Sequence, residues 1–347
     1  MKKVKIGIIG YGLSGSVFHA PLISTVEGLD LVAVVSSQPE KVRQDFPAVD
    51  VVPFVEALLA RPDIDLVVVS TPNTTHFSFA KQALEANKHV IVEKPFVTHF
   101  QEADELISLA EKQNRLLSVY QNRRWDNDFL TLKQCIREGL LGDIFSYESH
   151  YDRFRPQVSG KWRDQALPGS GMLFDLGSHL IDQALHLFGL PCTVFADIQA
   201  QRPGAQADDY FHIILGYDRL RVILHSSCLV RKPGPHFQVH GNKGSFIKYG
   251  LDPQEGSLAG GIRPGAPDWG RDPADLYGQL TIGTGLDITA PVETLPGSYQ
   301  SYYQAVYQAI TAGSPLPVTA REARNTIKII ETAQESSKTG KIIPFAE

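Results

Sequence analysis

Cysteine is scarce in this chain. Cys135, Cys192 and Cys228 are the only three, odd in number and far apart in 347 residues. That excludes a disulfide framework and the paired spacings that hold structural zinc, and leaves small buried thiols in a reducing compartment. Long hydrophobic runs are missing too. No stretch of about 18 uninterrupted apolar residues exists, so no segment reads as a membrane span. Positive charge is not in excess: 33 Lys and Arg face 38 Asp and Glu, a formal net charge of -5. Such a balance argues against nucleic acid or an anionic membrane surface as partner. Lys2 and Lys3 precede an apolar stretch, but glycines at 7, 10, 12 and 15 interrupt it and no small-residue cleavage site follows. A signal peptide is therefore not expected, and a cytoplasmic protein is. Internal repeats are absent.

The composition is that of an ordinary globular protein, 43% hydrophobic and 20% charged. The length exceeds a usual single core, so two domains are expected, 1–122 and 123–347. The first alternates strand and helix. Apolar runs at Val4–Ile9, Leu31–Val35, Leu66–Ser70, His89–Val92 and Leu116–Tyr120 read as strands. Val17–Val26, Val55–Ala60, Phe77–Ala86 and Glu102–Gln113 read as helices, with Pro21 breaking or kinking the first. Valine-rich strands with helices between them imply a parallel sheet covered on both faces, a doubly wound α/β fold whose ligand sits at the carboxyl ends of the strands. After about residue 125 the pattern changes. Helices at Phe129–Glu138 and Met172–Phe188 flank a strand near Ile144–His150, and four further runs between Val194 and His240 read as strands. The turn Gly216-Tyr217-Asp218-Arg219 favours antiparallel pairing there. Residues 251–298 are rich in Gly, Pro and Asp and read as a long excursion; Tyr299–Ala312 and Glu322–Glu335 read as closing helices.

The turn Gly10-Tyr11-Gly12-Leu13-Ser14-Gly15 follows directly on the first strand. Gly10 permits a tight turn, Gly12 lets backbone N–H groups approach a pyrophosphate, and Gly15 lets a helix pack close to the strand. The helix start then faces the phosphates with its partial positive charge. The acidic residue that binds the adenosine ribose of NAD at the end of the second strand is missing: Ser36-Ser37-Gln38 stand there, and Asp30 opens the strand instead. Without a carboxylate, Ser36 and Ser37 can donate to a 2′-phosphate and Lys41 or Arg43 can supply charge, which favours NADP while leaving NAD open.

Three further groups carry chemistry. Glu93-Lys94-Pro95 lies at the carboxyl end of a strand, where an ammonium stabilises a developing alkoxide; the plain alternative is a surface lysine. Asp175, His179, Asp182 and His186 recur at four, three and four residues and form one polar stripe on a helix. That stripe is either a solvated face or an acid–base pair, with His179 exchanging a hydroxyl proton and Asp175 orienting the imidazole. It is too long for one ion to touch all four, and no metal is expected. Ser70-Thr71-Pro72-Asn73-Thr74-Thr75-His76 suits ribose and phosphate contacts, although Thr74 or Thr75 can instead cap the next helix.

Four motifs in order resemble the glucose–fructose oxidoreductase/inositol dehydrogenase/rhizopine catabolism (Gfo/Idh/MocA) oxidoreductases. They are Gly10-x-Gly12-x-x-Gly15, Thr71-Pro72-Asn73-x-x-His76, Glu93-Lys94-Pro95, and Gly169-Ser170-Gly171-x-x-x-Asp175-x-Gly177-x-His179-x-x-Asp182. The resemblance spans essentially the whole chain. Phe18-His19-Ala20-Pro21-Leu22-Ile23, Asn122-Arg123-Arg124-Trp125-Asp126 and Asp152-Arg153-Phe154-Arg155-Pro156 resemble a narrower branch, the bacterial scyllo-inositol 2-dehydrogenases and related oxidoreductases.

The resemblance implies an N-terminal Rossmann domain and a C-terminal α/β domain with a large, mostly antiparallel sheet whose open face mediates a homodimer or homotetramer. It implies Lys94, Asp175 and His179 as the catalytic residues, and a cis bond before Pro95. Cofactor contacts are expected from Gly10, Gly12, Leu13, Ser14, Gly15, Ser36, Ser37, Thr71, Pro72, Asn73, His76, Glu93, Lys94, Trp162 and Arg163. Asn122 and Arg123 would read substrate hydroxyls near the domain junction, or pack there. The expected function is NAD(P)-dependent hydride transfer at a secondary hydroxyl or ketone of a polyol, an inositol or a sugar. A non-catalytic NAD(P)-sensing regulator on the same fold and a reductase of a non-sugar substrate are the alternatives.

Overall fold

In the computed structural model, which describes residues 3–160, 164–283 and 285–346, the chain divides into two units. The first comprises the described residues through Trp125, together with Gln254–Trp269 and Ser298–Arg324. The second comprises Asp126–Pro253, Gly270–Gly297 and the described residues from Asn325. Neither is continuous in sequence, so a single cut at 122/123 does not contain the two returning segments.

The first unit is built on six strands: β1 (Val4–Ile9), β2 (Leu29–Val35), β3 (Asp50–Val52), β4 (Leu66–Val69), β5 (His89–Glu93) and β6 (Leu117–Tyr120). Their order is β3-β2-β1-β4-β5-β6, and every pairing is parallel. The chain winds outward from β1 through β2 to β3, then returns to lay β4 on the other side of β1. The turns after β1 and β4 therefore diverge at the switch point where such sheets bind ligands. All four residues of β4 and all four of β6 are buried, which is why these strands are near-continuous apolar runs.

Helices α1 (Ala20–Ile23), α2 (Pro39–Asp45), α3 (Val55–Leu59), α4 (His76–Glu85) and α5 (Phe100–Lys112) connect the strands. Pro21 neither breaks nor kinks a regular helix: a wide, π-type turn at Ser14–His19 leads into α1, where Pro21 occupies the first turn and needs no donor. The sequence pattern misses α2 because it is short and mostly polar, with Val42 its only buried residue, and β3 because it is only three residues long.

The second unit holds α6 (Asn127–Arg137), β7 (Ile144–His150), α7 (Ser178–Phe188), β8 (Thr193–Gln199), β9 (Tyr210–Gly216), β10 (Arg221–Ser227), β11 (Phe237–Gly241) and β12 (Gly244–Lys248). A hairpin, β13 (Gly278–Ile282) and β14 (Ile288–Val292), and the short β15 (Ile343–Pro344) complete it. The nine strands run β14-β13-β12-β11-β7-β10-β9-β8-β15. Only β7 and β10 pair in parallel; the rest are antiparallel, as Gly216 opposite Arg221 across the expected turn illustrates. One face is dry: Tyr147, Phe211, Leu224, Phe237 and Phe246 are fully buried, and Phe129 of α6 and Phe188 of α7 stack against Phe237 and Tyr147. The alternate residues Glu148, His150, His212, Ile223, His225 and His240 line the other, more open face.

Residues 251–298 are not an unstructured excursion. They carry α8 (Gln254–Ala259), which belongs to the first unit, and the β13–β14 hairpin at the edge of the second sheet. Lys248, at the end of β12, is completely buried with its Nζ 3.0 Å from Asp272 Oδ2, while Asp272 Oδ1 accepts from Asn127 Nδ2 at 2.8 Å. This pair pins the start of the hairpin segment to the sheet. Removing one partner leaves a buried charge unmatched, so Lys248→Met is expected to lose about 3–5 kcal/mol of stability. Urea denaturation followed by circular dichroism tests this, and an unchanged midpoint would show the pair to be dispensable.

Candidate active site

The glycine turn at the end of β1 separates packing from access. A Cβ on Gly10 would come 2.4 Å from the Ser70 carbonyl oxygen, and Gly10 also sits at φ +97. One on Gly15 would come 2.4 Å from the Gly10 carbonyl. One on Gly12 would meet nothing within 4 Å. Gly10 and Gly15 thus close the fold, while Gly12 opens onto free space at the switch point, as a backbone approached by phosphates requires. Leu13 beside it is 63% exposed, an apolar side chain held away from the protein's own core.

The turn is anchored from below by Glu93. Its buried carboxylate accepts hydrogen bonds from Ser14 Oγ, from His19 Nε2 at 2.9 Å and from the Lys94 backbone N–H at 2.8 Å. Burial alone would push this carboxyl up; the bond and charge of His19, then Ser14 and Lys94, outweigh it and hold it below the usual range. His19 Nδ1 lies 2.5 Å from the Tyr303 hydroxyl of α9 (Gln300–Ala312), a phenol that burial pushes far up. Glu93 is therefore a structural anchor beneath the turn.

His76, at the start of α4, ties two ligand-edge turns together. Nδ1 lies 2.8 Å from the Pro95 carbonyl oxygen and Nε2 2.9 Å from that of Thr71. Burial pushes its pKa down despite the two carbonyls. The Lys94–Pro95 peptide is cis, as the resemblance implies. Thr75 precedes α4 without capping it; its hydroxyl turns back to Thr71 Oγ1 and the Pro72 carbonyl, each at 2.7 Å. Asn73 is buried in the same turn, and Thr71 and exposed Pro72 edge it.

Ser36 and Ser37 follow β2, with Ser36 Oγ accepting from the Gln38 N–H at 2.9 Å. Asp30 lies at the opposite end of that strand, opposite Lys5 and 4.0 Å from Lys3 Nζ. Lys41 reaches toward the glycine turn: its Nζ donates to Ser16 Oγ at 3.0 Å, and Ser16 Oγ donates to the Gly12 carbonyl at 2.8 Å. Asn122 and Arg123, on a short turn after β6, are buried, and Arg123 Nη2 pairs with Glu255 Oε2 of α8 at 2.8 Å.

In the second unit the expected helix is interrupted. A wide turn, Leu173–Gly177, precedes α7, so Asp175 and His179 do not lie on one regular α-helical stripe. Wide turns of this kind recur at functional sites. His179 and Asp182 are 3% and 2% exposed, whereas His186 is exposed, so the polar residues are not one solvated face. The helix start is held by Asp208, which the sequence pattern does not single out. Its Oδ2 accepts from the Leu173 N–H at 2.7 Å and its backbone carbonyl from the Met172 N–H at 2.9 Å. A Cβ on Gly171 would collide with Asp208 Oδ1 at 2.1 Å, which gives the Gly169-Ser170-Gly171 run a steric reason. Trp162 and Arg163 lie outside the described residues. The helix residues do not form a metal-ligand group; among the described residues one such group occurs elsewhere, at His150, Asp152 and His225.

Comparison with known proteins agrees with this geometry. Residues 4–121 match the model of the oxidoreductase family NAD-binding Rossmann fold, and residues 133–345 that of the same family's C-terminal alpha/beta domain. The chain belongs to the Gfo/Idh/MocA oxidoreductase family. Its relatives include scyllo-inositol 2-dehydrogenase (NADP(+)) IolW of Bacillus subtilis, 46% identical over 98% of this chain and 95% of that one. The Escherichia coli oxidoreductase YdgJ, described as uncharacterized, is 48% identical over 96% of each chain. The structure of yvaA from Bacillus subtilis superimposes with a TM-score of 0.98 at 44% identity, covering 99% of both chains. The first unit is thus the NAD(P)-binding unit of a Gfo/Idh/MocA oxidoreductase, and among the described residues no helix is long and apolar enough to cross a membrane.

Two predictions follow from this geometry. Gly12→Ala is expected to hold stability within about 0.5 kcal/mol but to weaken nucleotide binding at least about tenfold, ~1.4 kcal/mol. Gly15→Ala is expected to lose about 1–3 kcal/mol through its backbone clash. Thermal denaturation with fluorescence titration separates the two; equal Tm losses would refute the division of roles. The Asp208 carboxyl is raised by burial to about 6, its backbone hydrogen bonds only partly opposing. Its contribution to stability is full below its ordinary range and is lost as pH rises through about 6. Asp208→Asn keeps an acceptor for the Leu173 N–H and cannot ionise, so its stability should gain on the parent protein between about pH 4 and pH 7, by on the order of 3 kcal/mol, seen as a rising Tm difference. Parallel Tm curves would sink this.

Proposed function

We propose that this chain is an NADP-preferring dehydrogenase of a cyclic polyol, with scyllo-inositol the first candidate. It would transfer hydride between nicotinamide and a secondary hydroxyl or the matching ketone. The observation that carries the reading is the glycine turn: Gly10 and Gly15 closed by backbone, Gly12 open at the switch point, and Lys94 set at the same sheet edge by Glu93 and the His76 tie. The Bacillus subtilis relative, an NADP(+)-dependent scyllo-inositol dehydrogenase, supports the substrate class and the cofactor.

Gly12, Ser14 and Gly15 would receive the pyrophosphate, Thr71, Pro72 and Asn73 the ribose side, and Leu13 would pack against the nucleotide. Ser36 and Ser37 would donate to a 2′-phosphate and Lys41 would neutralise it, with no carboxylate at the end of β2 to repel it. The bound nicotinamide supplies the hydride acceptor or donor. Lys94 stabilises the alkoxide-like oxygen as charge develops there. His179 takes the hydroxyl proton and returns it in the reverse direction, and Asp175 supports the imidazole. Asn122 and Arg123 read substrate hydroxyls. Trp162 and Arg163 carry the same cofactor role that the resemblance gives them. The open face of the second unit's sheet is the proposed self-association surface.

Initial rates on a panel of inositols and aldoses, each with NAD and NADP, test the assignment. Strong oxidation of scyllo-inositol with NADP, and little of myo-inositol or glucose, is expected. Silence across the panel with nucleotide binding intact would turn the reading toward a non-sugar reductase or a cofactor-sensing regulator. On the cognate substrate, Lys94→Ala and His179→Ala should each lower kcat by about 10²–10⁴-fold without loss of fold. Unchanged turnover in either would overturn its role. Lys41→Glu should lower kcat/KM for NADP and not for NAD.

A further inference from the structure

The open face of the second unit's sheet brings together side chains that hydride transfer does not use. His150 closes β7 and His225 stands opposite it on β10, across the one parallel pairing in that sheet. Their rings lie 5.0 Å apart. Asp152, two residues past His150, brings its carboxylate to both: Oδ1 is 2.9 Å from His225 Nδ1 and Oδ2 is 3.6 Å from His150 Nδ1. Donor atoms from the three residues all lie within 4.8 Å of one another. Two further observations separate this group from an ordinary surface ion pair. His225 Nδ1 and His150 Nε2 are themselves buried, between Asp152 and Glu148, rather than exposed to solvent. The carboxylate is itself oriented, since the Ser227 N–H donates to Asp152 Oδ1 at 3.0 Å, the kind of outer contact that fixes a ligating carboxylate.

We propose that His150, Asp152 and His225 form a binding site for a divalent transition-metal ion, with Zn²⁺ the reference cation. Two imidazoles and one carboxylate are borderline donors that suit zinc and its first-row neighbours. Bonds of about 2.0–2.2 Å place the donors on a tetrahedral zinc roughly 3.4 Å apart. The 2.9 and 3.6 Å spacings run to the two oxygens of Asp152, and the donor set with one atom per residue lies within 4.8 Å, so closure on an ion requires the side chains to rotate inward. Glu148, whose Oε2 lies 3.4 Å from His150 Nε2, adds negative charge on the same face. A cavity of 320 Å³ bordered by His150, Asp152, His236 and Leu251 gives room for water in the remaining coordination position, and the site lies on the same face as the proposed self-association surface. The ion would clip the segment leaving β7 to the end of β10. The site is independent of the dehydrogenase reading and supplies nothing to that reaction.

The test uses the full-length protein, stripped with a chelator, desalted and titrated with Zn²⁺ against a chromophoric competitor. One ion per chain is expected. His150→Ala, Asp152→Asn and His225→Ala should each weaken binding at least about tenfold, with circular dichroism unchanged. Co²⁺ should give visible d–d absorption that His225→Ala abolishes, and Zn²⁺ should raise the Tm of the parent protein but not of that variant. Cys192→Ser, which removes the exposed thiol, should leave binding intact. Absence of saturable Zn²⁺ binding, binding undiminished in all three variants, or binding lost with Cys192→Ser would overturn the proposal. Asp152→Asn, nearly isosteric, keeps the test decisive if an alanine variant misfolds.

Discussion

A single buried carboxylate organises the nucleotide-binding unit. Glu93 ends β5, and the groups that satisfy it come from different parts of the chain: Ser14 and His19 from the helix after the glycine turn, and the N–H of Lys94 from its own strand end. Tyr303, from a helix almost three hundred residues later, completes the chain of bonds through His19. A carboxylate in such a place is tolerated only because every neighbour donates to it; with one donor removed, its burial would favour the protonated acid. The glycine turn and the strand end that carries Lys94 thus share one electrostatic support, and the position of one depends on that of the other.

The parts legible in the sequence are those with local physical causes. Buried parallel strands must be nearly all apolar, so β1, β4, β5 and β6 are visible as apolar runs. The glycine turn is visible because its three glycines answer three separate steric demands, two of them now seen as contacts a methyl group would violate. What was not legible depends on long-range partners. Nothing near Asp208 announces that it will hold the start of a helix thirty-odd residues upstream, and a regular helix was the natural reading of Met172–Phe188 because one extra residue in a turn leaves the apolar pattern almost intact. The stripe of Asp175, His179, Asp182 and His186 consequently promised one polar face, while burial separates His179 and Asp182 from His186.

The excursion after residue 250 shows the same limit. Its Gly, Pro and Asp content hides α8 and an edge hairpin, since both are specified by partners elsewhere: Gln254 donates to the Trp125 carbonyl and accepts from the Tyr299 N–H, and Asp272 meets Lys248. Likewise Glu93 is expected among the cofactor contacts from its place in the motif, and the structure shows what the motif does not, that its carboxylate turns to Ser14, His19 and the Lys94 N–H. Motif membership marks where a residue sits at the ligand edge; only its hydrogen bonds say whether it faces the ligand or the scaffold.

The discontinuity of the two units bears on synthesis. The nucleotide-binding unit begins at the first strand, yet its His19 contact and its last helical cover come from residues 298–324. As the chain leaves the ribosome, the six-stranded sheet can form early, but Glu93 and His19 wait for Tyr303, 284 residues after His19. Most of the second unit's sheet, from β7 to β14, is synthesised before that contact can form. Contacts of such large sequence separation slow folding, and they make the order of assembly, rather than the stability of either unit alone, the point at which a truncated or stalled chain would fail.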